Sequence, residues 1–218
     1  MTPFPRILIT CGPSSVPIDE VRRITNHSTG EIGTLLAEAA TAAGFEAICL
    51  RGHGATFRAP AEGIAVKPFV TNQDLQQLLE AHAGPDVQAV FHAAALSDFE
   101  LSPETNAPNS RKLSSRAGEI TLRLLPAPKL ITRLREFFPE SAIVGWKYEL
   151  DGGMEEAKAA GRRQLDESHT DAAVLNGAAY GPGFGILVPS GELHHVETKE
   201  ALAAYLVQTF GLRAASAN

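Results

Sequence analysis

Cysteine, tryptophan, tyrosine and methionine are scarce in this chain of 218 residues, which carries 2 Cys, 1 Trp, 3 Tyr and 2 Met. Two cysteines make no disulfide framework, and Cys11 and Cys49 each fall in an apolar run, so both are expected as buried, reduced thiols. There is no C-x-x-C and no H-E-x-x-H, so no zinc site is expected, and His194–His195 reads as a half-exposed strand pair rather than metal ligands. Basic residues are outnumbered, 19 against 25 acidic, for a formal charge of -6. That balance speaks against a nucleic-acid partner, whose polyanion binds clustered Lys and Arg. No apolar run approaches the ~20 residues of a membrane span, and the opening Met-Thr-Pro-Phe-Pro-Arg is not laid out as a signal peptide. A cytoplasmic protein with no membrane partner is expected. The G-x-x-x-x-G-K-[ST] phosphate loop and the G-x-S-x-G nucleophile elbow are also missing. Gly52-His53-Gly54 has Phe57 where a dinucleotide loop needs its third glycine, and Pro60 blocks the helix that should follow.

What is present is ordinary for a globular chain, 44% hydrophobic and 20% charged, with no internal repeat and no evident domain boundary across 1–218. Arg6–Thr10 reads as a buried strand closed by Gly12-Pro13. Ser28-x-x-Glu31 has the form of a capping box opening a helix that runs to about Gly44. Strands over Phe45–Leu50 and Ile64–Val70 follow, then a helix with Asn72 as its expected N-cap, then the very apolar strand Val87–Leu96. The polar stretch Ser97–Gly118 is expected to be a functional flap, and Glu119–Leu124 a strand. A helix after Pro128, a strand over Ala142–Trp146, a polar helix over Gly153–Ser168 and a strand over Asp171–Asn176 come next. A hairpin across Pro189–Glu192 and a helix from Thr198 complete the chain. Alternation of strands and helices points to an α/β, Rossmann-like, doubly wound and mostly parallel sheet, with a long polar flap and a small C-terminal hairpin.

Three segments carry chemistry. Asn26-His27-Ser28-Thr29-Gly30 stands before an alanine-rich helix, where free N–H groups and the positive helix end favour an anion. The plain alternative is a solvated, partly helical turn with Asn26 bonding its own loop. Ala93–Ala95 leave the end of a buried strand without bulk, so a ligand can approach the backbone, and Asp98 lies just beyond to accept a hydrogen bond or help hold a metal. The alternative is a strand packed closely under a helix and a capping Asp. Lys112, inside the flap, is placed to close over an anion, though a solvated lysine is the ordinary explanation for any single Lys.

Taken together and in order, I-T-C-G-P, P-I-D-x-V-R-x-I-T-N-H-S-T-G-x-x-G, H-A-A-A-L-S-D-F, R-K-L-S-S, P-x-P-K-L-I and V-G-W-K-Y-E resemble phosphopantothenoylcysteine synthetase, the phosphopantothenate–cysteine ligase of the DNA/pantothenate metabolism flavoprotein family. The resemblance implies activation of a carboxylate by CTP or ATP with Mg²⁺, release of pyrophosphate, and displacement of the nucleotide by the amine of L-cysteine. In bacteria this ligase is often fused to a flavin-dependent decarboxylase; the stand-alone form expected here carries no flavin. By resemblance, Gly12, Ser28, Gly30 and Gly33 cradle the triphosphate. Pro128, Lys129, Leu130 and Ile131 lie beside the nucleotide with Trp146 against the base, and Asn176, Asp98 and Lys112 add contacts. Asn26 holds the reacting acyl group and forms the catalytic pair with Lys112. Ala94, Ala95 and Asp98 meet 4'-phosphopantothenate. Arg22 reaches the substrate phosphate across a subunit interface, which implies a homodimer with shared active sites.

The chain also departs from the family pattern. Glu31 stands where Lys or Arg is common beside the phosphates, Leu150 replaces Thr after Glu149, and Arg162 and Arg163 are the basic residues that come nearest to the nucleotide-binding ones of the next helix. A carboxylate at 31 repels a triphosphate unless it points away or serves only as a cap. Choice between CTP and ATP stays open, as do two other readings: a non-catalytic or altered-substrate nucleotide-binding paralogue, and an NAD(P)-dependent reductase on the same sheet.

Overall fold

In a computed structural model the described residues are 4–103, 112–114, 116 and 118–211. Arg111 and Ser115 of the flap segment lie outside them.

Strand β1 (Arg6–Cys11) is buried from Ile7 onward, as a strand covered on both faces must be. It pairs in parallel with β4 (Glu46–Gly52) on one side and β6 (Val87–His92) on the other. Beyond β4 lies β5 (Ala65–Phe69); beyond β6 come β9 (Ala142–Tyr148) and β10 (Ala172–Asn176), all parallel. The antiparallel pair β11 (Phe184–Leu187) and β12 (Leu193–Val196) ends the sheet. The order is β12-β11-β10-β9-β6-β1-β4-β5, so the chain reverses direction between β1 and β6 and leaves a crevice at their carboxyl ends.

Helices α1 (Glu31–Ala42) and α5 (Lys199–Phe210) cover one face, packing Leu36, Leu206 and Phe210 on Ile7, Ile9 and Val144. On the other face α2 (Asn72–Ala81) and α3 (Leu134–Phe137) bury Leu75, Leu79 and Leu134 with Leu8 and Ile143. Helix α4 (Met154–Ser168) sets Ala157 and Leu165 against Leu175. Among the described residues no helix is long and apolar enough to cross a membrane. Cys11 and Cys49 are buried and free, their Sγ atoms 3.6 Å apart, because β1 and β4 are neighbours.

Several local expectations are corrected. The Ser28–Glu31 capping box does not form: α1 is capped by Gly30 at φ 78, and the Glu31 N–H instead points to Thr29 Oγ1 at 3.3 Å. A Ser28 box would need Gly30 inside the first right-handed turn, and its left-handed backbone excludes that. The cap of α2 is Thr71, not Asn72, because Thr71 and Asp74 satisfy each other's backbone N–H at 3.0 and 2.9 Å. Asn72 is thereby free to donate Nδ2 to Ser97 O at 2.9 Å. Strand β6 stops at His92 and not Leu96; from there Ala93 and Ala95 donate to Thr10 O and Gly12 O as the segment follows the loop after β1. No strand covers 119–123: β8 (Leu124–Pro126) forms only where it meets its antiparallel partner β7 (Phe99–Leu101). The helix after Pro128 is a 3-10 turn over Leu130–Arg133 followed by the single turn of α3, with Pro139 just beyond. The loop before α1 holds a small hairpin, β2 (Ser15–Pro17) with β3 (Arg23–Thr25), in place of a helical turn.

Candidate active site

The connection from β1 to α1 is sewn to the segment after β6. Ser14 Oγ accepts from Ser97 N at 2.8 Å, Ser14 N donates to Ala95 O at 3.2 Å, and Thr25 Oγ1 donates to Ser14 O at 2.7 Å. Asn26 Nδ2 donates to Leu96 O at 2.8 Å. Two segments 70 residues apart in sequence therefore meet at the point where the strand order reverses. Asn26 and Ser28, with Arg23, His27, Thr29 and His53, line an open cavity of about 480 Å³.

Gly12 and Gly30 both have positive φ, 75° and 78°, and a Cβ on either would stand 2.8 or 2.9 Å from Ala55 Cβ. Side chains are excluded there on both counts. The Arg51 guanidinium sits beside Gly30 and donates to Thr34 Oγ1 at 3.0 Å, placing a fixed cation under the first turn of α1. Helix N–H groups and this cation make the same end of the site positive. Gly33 has a packing role of its own: a Cβ there would lie 2.1 Å from Cys11 Cβ, so the glycine lets α1 lie directly on β1.

A second cavity, of about 160 Å³, opens between β6 and β9. The structure brings Ala94, Asp98, Pro128, Lys129, Leu130, Ile131 and Trp146 to its walls. Ala95 lies alongside, bridged to Pro13. Asn72, His92, Lys147 and Gln164 also line it and were missed by the sequence reading. His92, a polar residue ending the run V-Q-A-V-F-H, was the one visible signal among them. Burial keeps its imidazole neutral, with a pKa pushed down to about 4. His92 Nδ1 is 2.9 Å from Thr10 Oγ1, which already accepts from Ala94 N at 3.2 Å.

Other expected residues lie outside the two cavities. Arg22 is engaged within its own chain: it bonds Asp19 Oδ2 at 3.2 Å and Leu113 O at 3.0 Å. Asp19 Oδ2 accepts from Leu113 N at 3.0 Å, so the base of the flap is clamped beside the exposed Lys112. The Leu113 N–H holds the Asp19 carboxyl below its ordinary value, with the Val21 and Arg22 N–H groups adding to it. Arg162 and Arg163 are exposed on α4, Arg162 beside Gly191 in the hairpin turn, and neither lines either of these two cavities; Gln164 of the same helix does. Asn176 ends β10 with a buried Oδ1 that has no partner. Glu31 is paired with Lys199 at the start of α5. Among the described residues no group of three or more His, Cys, Asp or Glu side chains is placed to hold a metal ion. Among the described residues Asp98 is the one carboxylate on the walls of either cavity.

Comparison with known proteins agrees with this architecture. A bifunctional coenzyme A biosynthesis protein, CoaBC, of Thermococcus kodakarensis is 32% identical over 180 residues, 78% of this chain and 41% of that protein. The chain spans about half or less of the length of the curated relatives it matches. The DNA/pantothenate metabolism flavoprotein of Streptococcus pneumoniae superposes with a TM-score of 0.81 at 26% identity, covering 95% of this chain and 99% of that one. An H337A mutant of Cab2 in complex with phosphopantothenate-cysteine shares the fold at TM-score 0.76 and 20% identity, covering 95% of this chain and 85% of that one. The model of the DNA/pantothenate metabolism flavoprotein C-terminal domain matches residues 5–206, and the chain belongs to that family.

Proposed function

We propose that residues 1–218 act as one phosphopantothenate–cysteine ligase domain. The observation that carries this reading is the Asn26–Leu96 contact, which unites an anion-favouring helix start with a small-residue strand end in one crevice. A relative bearing the same fold was solved with phosphopantothenate-cysteine, the product such a site would release.

The carboxylate oxygen of 4'-phosphopantothenate attacks the α-phosphorus of CTP or ATP, and pyrophosphate leaves. The amine of cysteine then attacks the acyl carbon and the nucleoside monophosphate leaves with the bridging oxygen. Two anions must approach each other in the first step, so the site has to neutralise charge. Gly12, Ser28, Gly30 and the first turn of α1 offer backbone N–H groups to the triphosphate, with Arg51 beneath them. Asn26 orients the reacting acyl group, and Lys112 closes from the flap. Asp98 would hold a Mg²⁺ arriving on the triphosphate, and the ion would supply neutralisation of phosphate charge. Ala94 and Ala95 let the pantothenate chain run against the backbone. Trp146 and Pro128–Ile131 enclose the nucleotide. Arg22 exchanges its Leu113 contact for a substrate phosphate in a partner subunit of a homodimer.

Omission assays test the reading. Pyrophosphate release should require phosphopantothenate and a nucleotide, and a product with the mass of phosphopantothenoylcysteine should require cysteine as well. Nucleotide binding without pyrophosphate release would favour the non-catalytic alternative, which the acidic Glu31 motivates.

A further inference from the structure

Three side chains around the Trp146 cavity each have a buried polar atom with no partner: Asn72 Oδ1, Trp146 Nε1 and Gln164 Nε2. Gln164 is the most informative, because the whole residue is only 6% exposed. Its amide lies over Gly145, where a Cβ would stand 2.2 Å from Nε2. β9 thus keeps its one glycine at the point the amide occupies. Gly145 is abreast of His92 on the neighbouring parallel strand, and residues in such register share a sheet face. The carboxamide of Gln164 and the neutral imidazole of His92 therefore share that face as an uncharged polar floor.

A neutral floor is a poor phosphate site, since phosphate is held by cations and helix starts. The helix start and its fixed cation lie at Gly30 and Arg51, while the two lysines of this cavity, Lys129 and Lys147, stand on its walls, with Lys147 3.9 Å from Glu149 Oε1. What a carboxamide matches is the edge of a nucleobase, where a ring nitrogen adjoins an exocyclic amine or carbonyl and both bonds form in one plane. Pro128 to Ile131 wall the same cavity, with the buried Leu130 and half-buried Ile131 giving it an apolar side for a base ring.

We infer that Gln164 reads the base of the nucleotide, its carboxamide pairing with the base edge beside the neutral imidazole of His92. On helix α4 the residue that meets the nucleotide is thus Gln164, and the exposed Arg162 and Arg163 take no part. This rests on the nucleotide-dependent reading above.

The test compares wild type with Gln164→Met, which keeps length and removes the amide, and with Gln164→Leu as a second variant. Dissociation constants are measured for CTP, ATP, UTP and GTP, and for inorganic triphosphate as a probe without a base. In the variants the preferred nucleotide should bind roughly tenfold or more weakly and the spread among the four should narrow. Inorganic triphosphate should bind unchanged, and Arg162→Ala with Arg163→Ala should leave all five constants as they were. A variant that discriminates bases as wild type does, or that loses triphosphate equally, overturns the inference alone. A wild type that binds no nucleotide overturns the ligase reading together with it.

Discussion

Glu31 at the start of α1 and Lys199 at the start of α5 form an ion pair across two adjacent helix ends. The pair answers the main departure of this chain from its family. A free carboxylate in the first turn of α1 would repel a triphosphate, whereas a paired one contributes little net charge. It also explains a lysine at the first position of α5, where its own helix dipole is unfavourable.

Lys199→Ala should therefore weaken binding of inorganic triphosphate by several-fold, because Glu31 then faces the anion alone. Adding Glu31→Gln to that variant should restore most of the affinity. Titration calorimetry at low salt reads both effects. The change in folding stability should stay within about 1 kcal/mol, since both groups are partly solvated. Equal binding by wild type and Lys199→Ala would place the pair away from the phosphates.

Asn26→Ala and Lys112→Ala should each lower kcat by about 10²-fold or more, with an unchanged circular dichroism spectrum. Both side chains are exposed, so neither supports the core. The Asn26–Leu96 bond is worth about 1 kcal/mol to folding, too little to account for such a loss. Near-normal turnover in either variant would show that its role is misassigned.

Asp19→Ala should loosen the flap, because it removes the carboxylate that receives the Leu113 N–H and orients Arg22. Trypsin should then cut after Lys112 or Arg116 faster, and KM for phosphopantothenate should rise more than kcat falls. Because the folded Asp19 pKa is depressed, the clamp is present above the ordinary carboxylate value and is lost only as pH falls through the lower folded value. The ratio of Asp19→Ala to wild-type cleavage rates should thus be the same at pH 5 as at pH 7, each pair being measured at one pH.

His92 predicts an acid-dependent loss of stability. Its folded pKa of about 4 lies below the ordinary 6.5, so only the unfolded chain takes up the proton between those values. The His92 contribution is complete above pH 6.5 and is lost as pH falls toward 4. Between pH 7 and pH 5 the loss amounts to about 2 kcal/mol. Urea unfolding of wild type and His92→Gln at both pH values checks this: the variant should lose less stability, and an identical loss in the two proteins would contradict it.

Much of the fold was legible because it rests on periodicity. The runs of β1, β6, β9 and β10 are apolar on both faces, and their alternation with helices admits few topologies. The boundaries that differed all depend on partners distant in sequence. β6 ends where Thr10 and Gly12 take over its backbone, and β8 exists only opposite Phe99–Leu101. The hairpin before α1 closes through Thr25 and Ser14, a contact no local pattern displays. In the site, Asn26, Asp98, Trp146 and Pro128–Ile131 stood out by motif, and all lie on cavity walls. Gln164 and Arg51 did not stand out. A glutamine in a polar helix and an arginine ending a strand look like solvated residues until Gly145 and Gly30 reveal how closely they approach.

The central claim is carboxylate activation through an acyl-nucleotide, and an isotope-transfer measurement addresses it most directly. Phosphopantothenate labelled with ¹⁸O in its carboxylate is turned over with cysteine, Mg²⁺ and CTP or ATP, and the nucleoside monophosphate is weighed by mass spectrometry. One ¹⁸O per turnover should appear in CMP or AMP, because the carboxylate oxygen bridges to the α-phosphorus and departs with it. Product formed without label in the monophosphate, or no product with either nucleotide while a known ligase works alongside, would contradict the account.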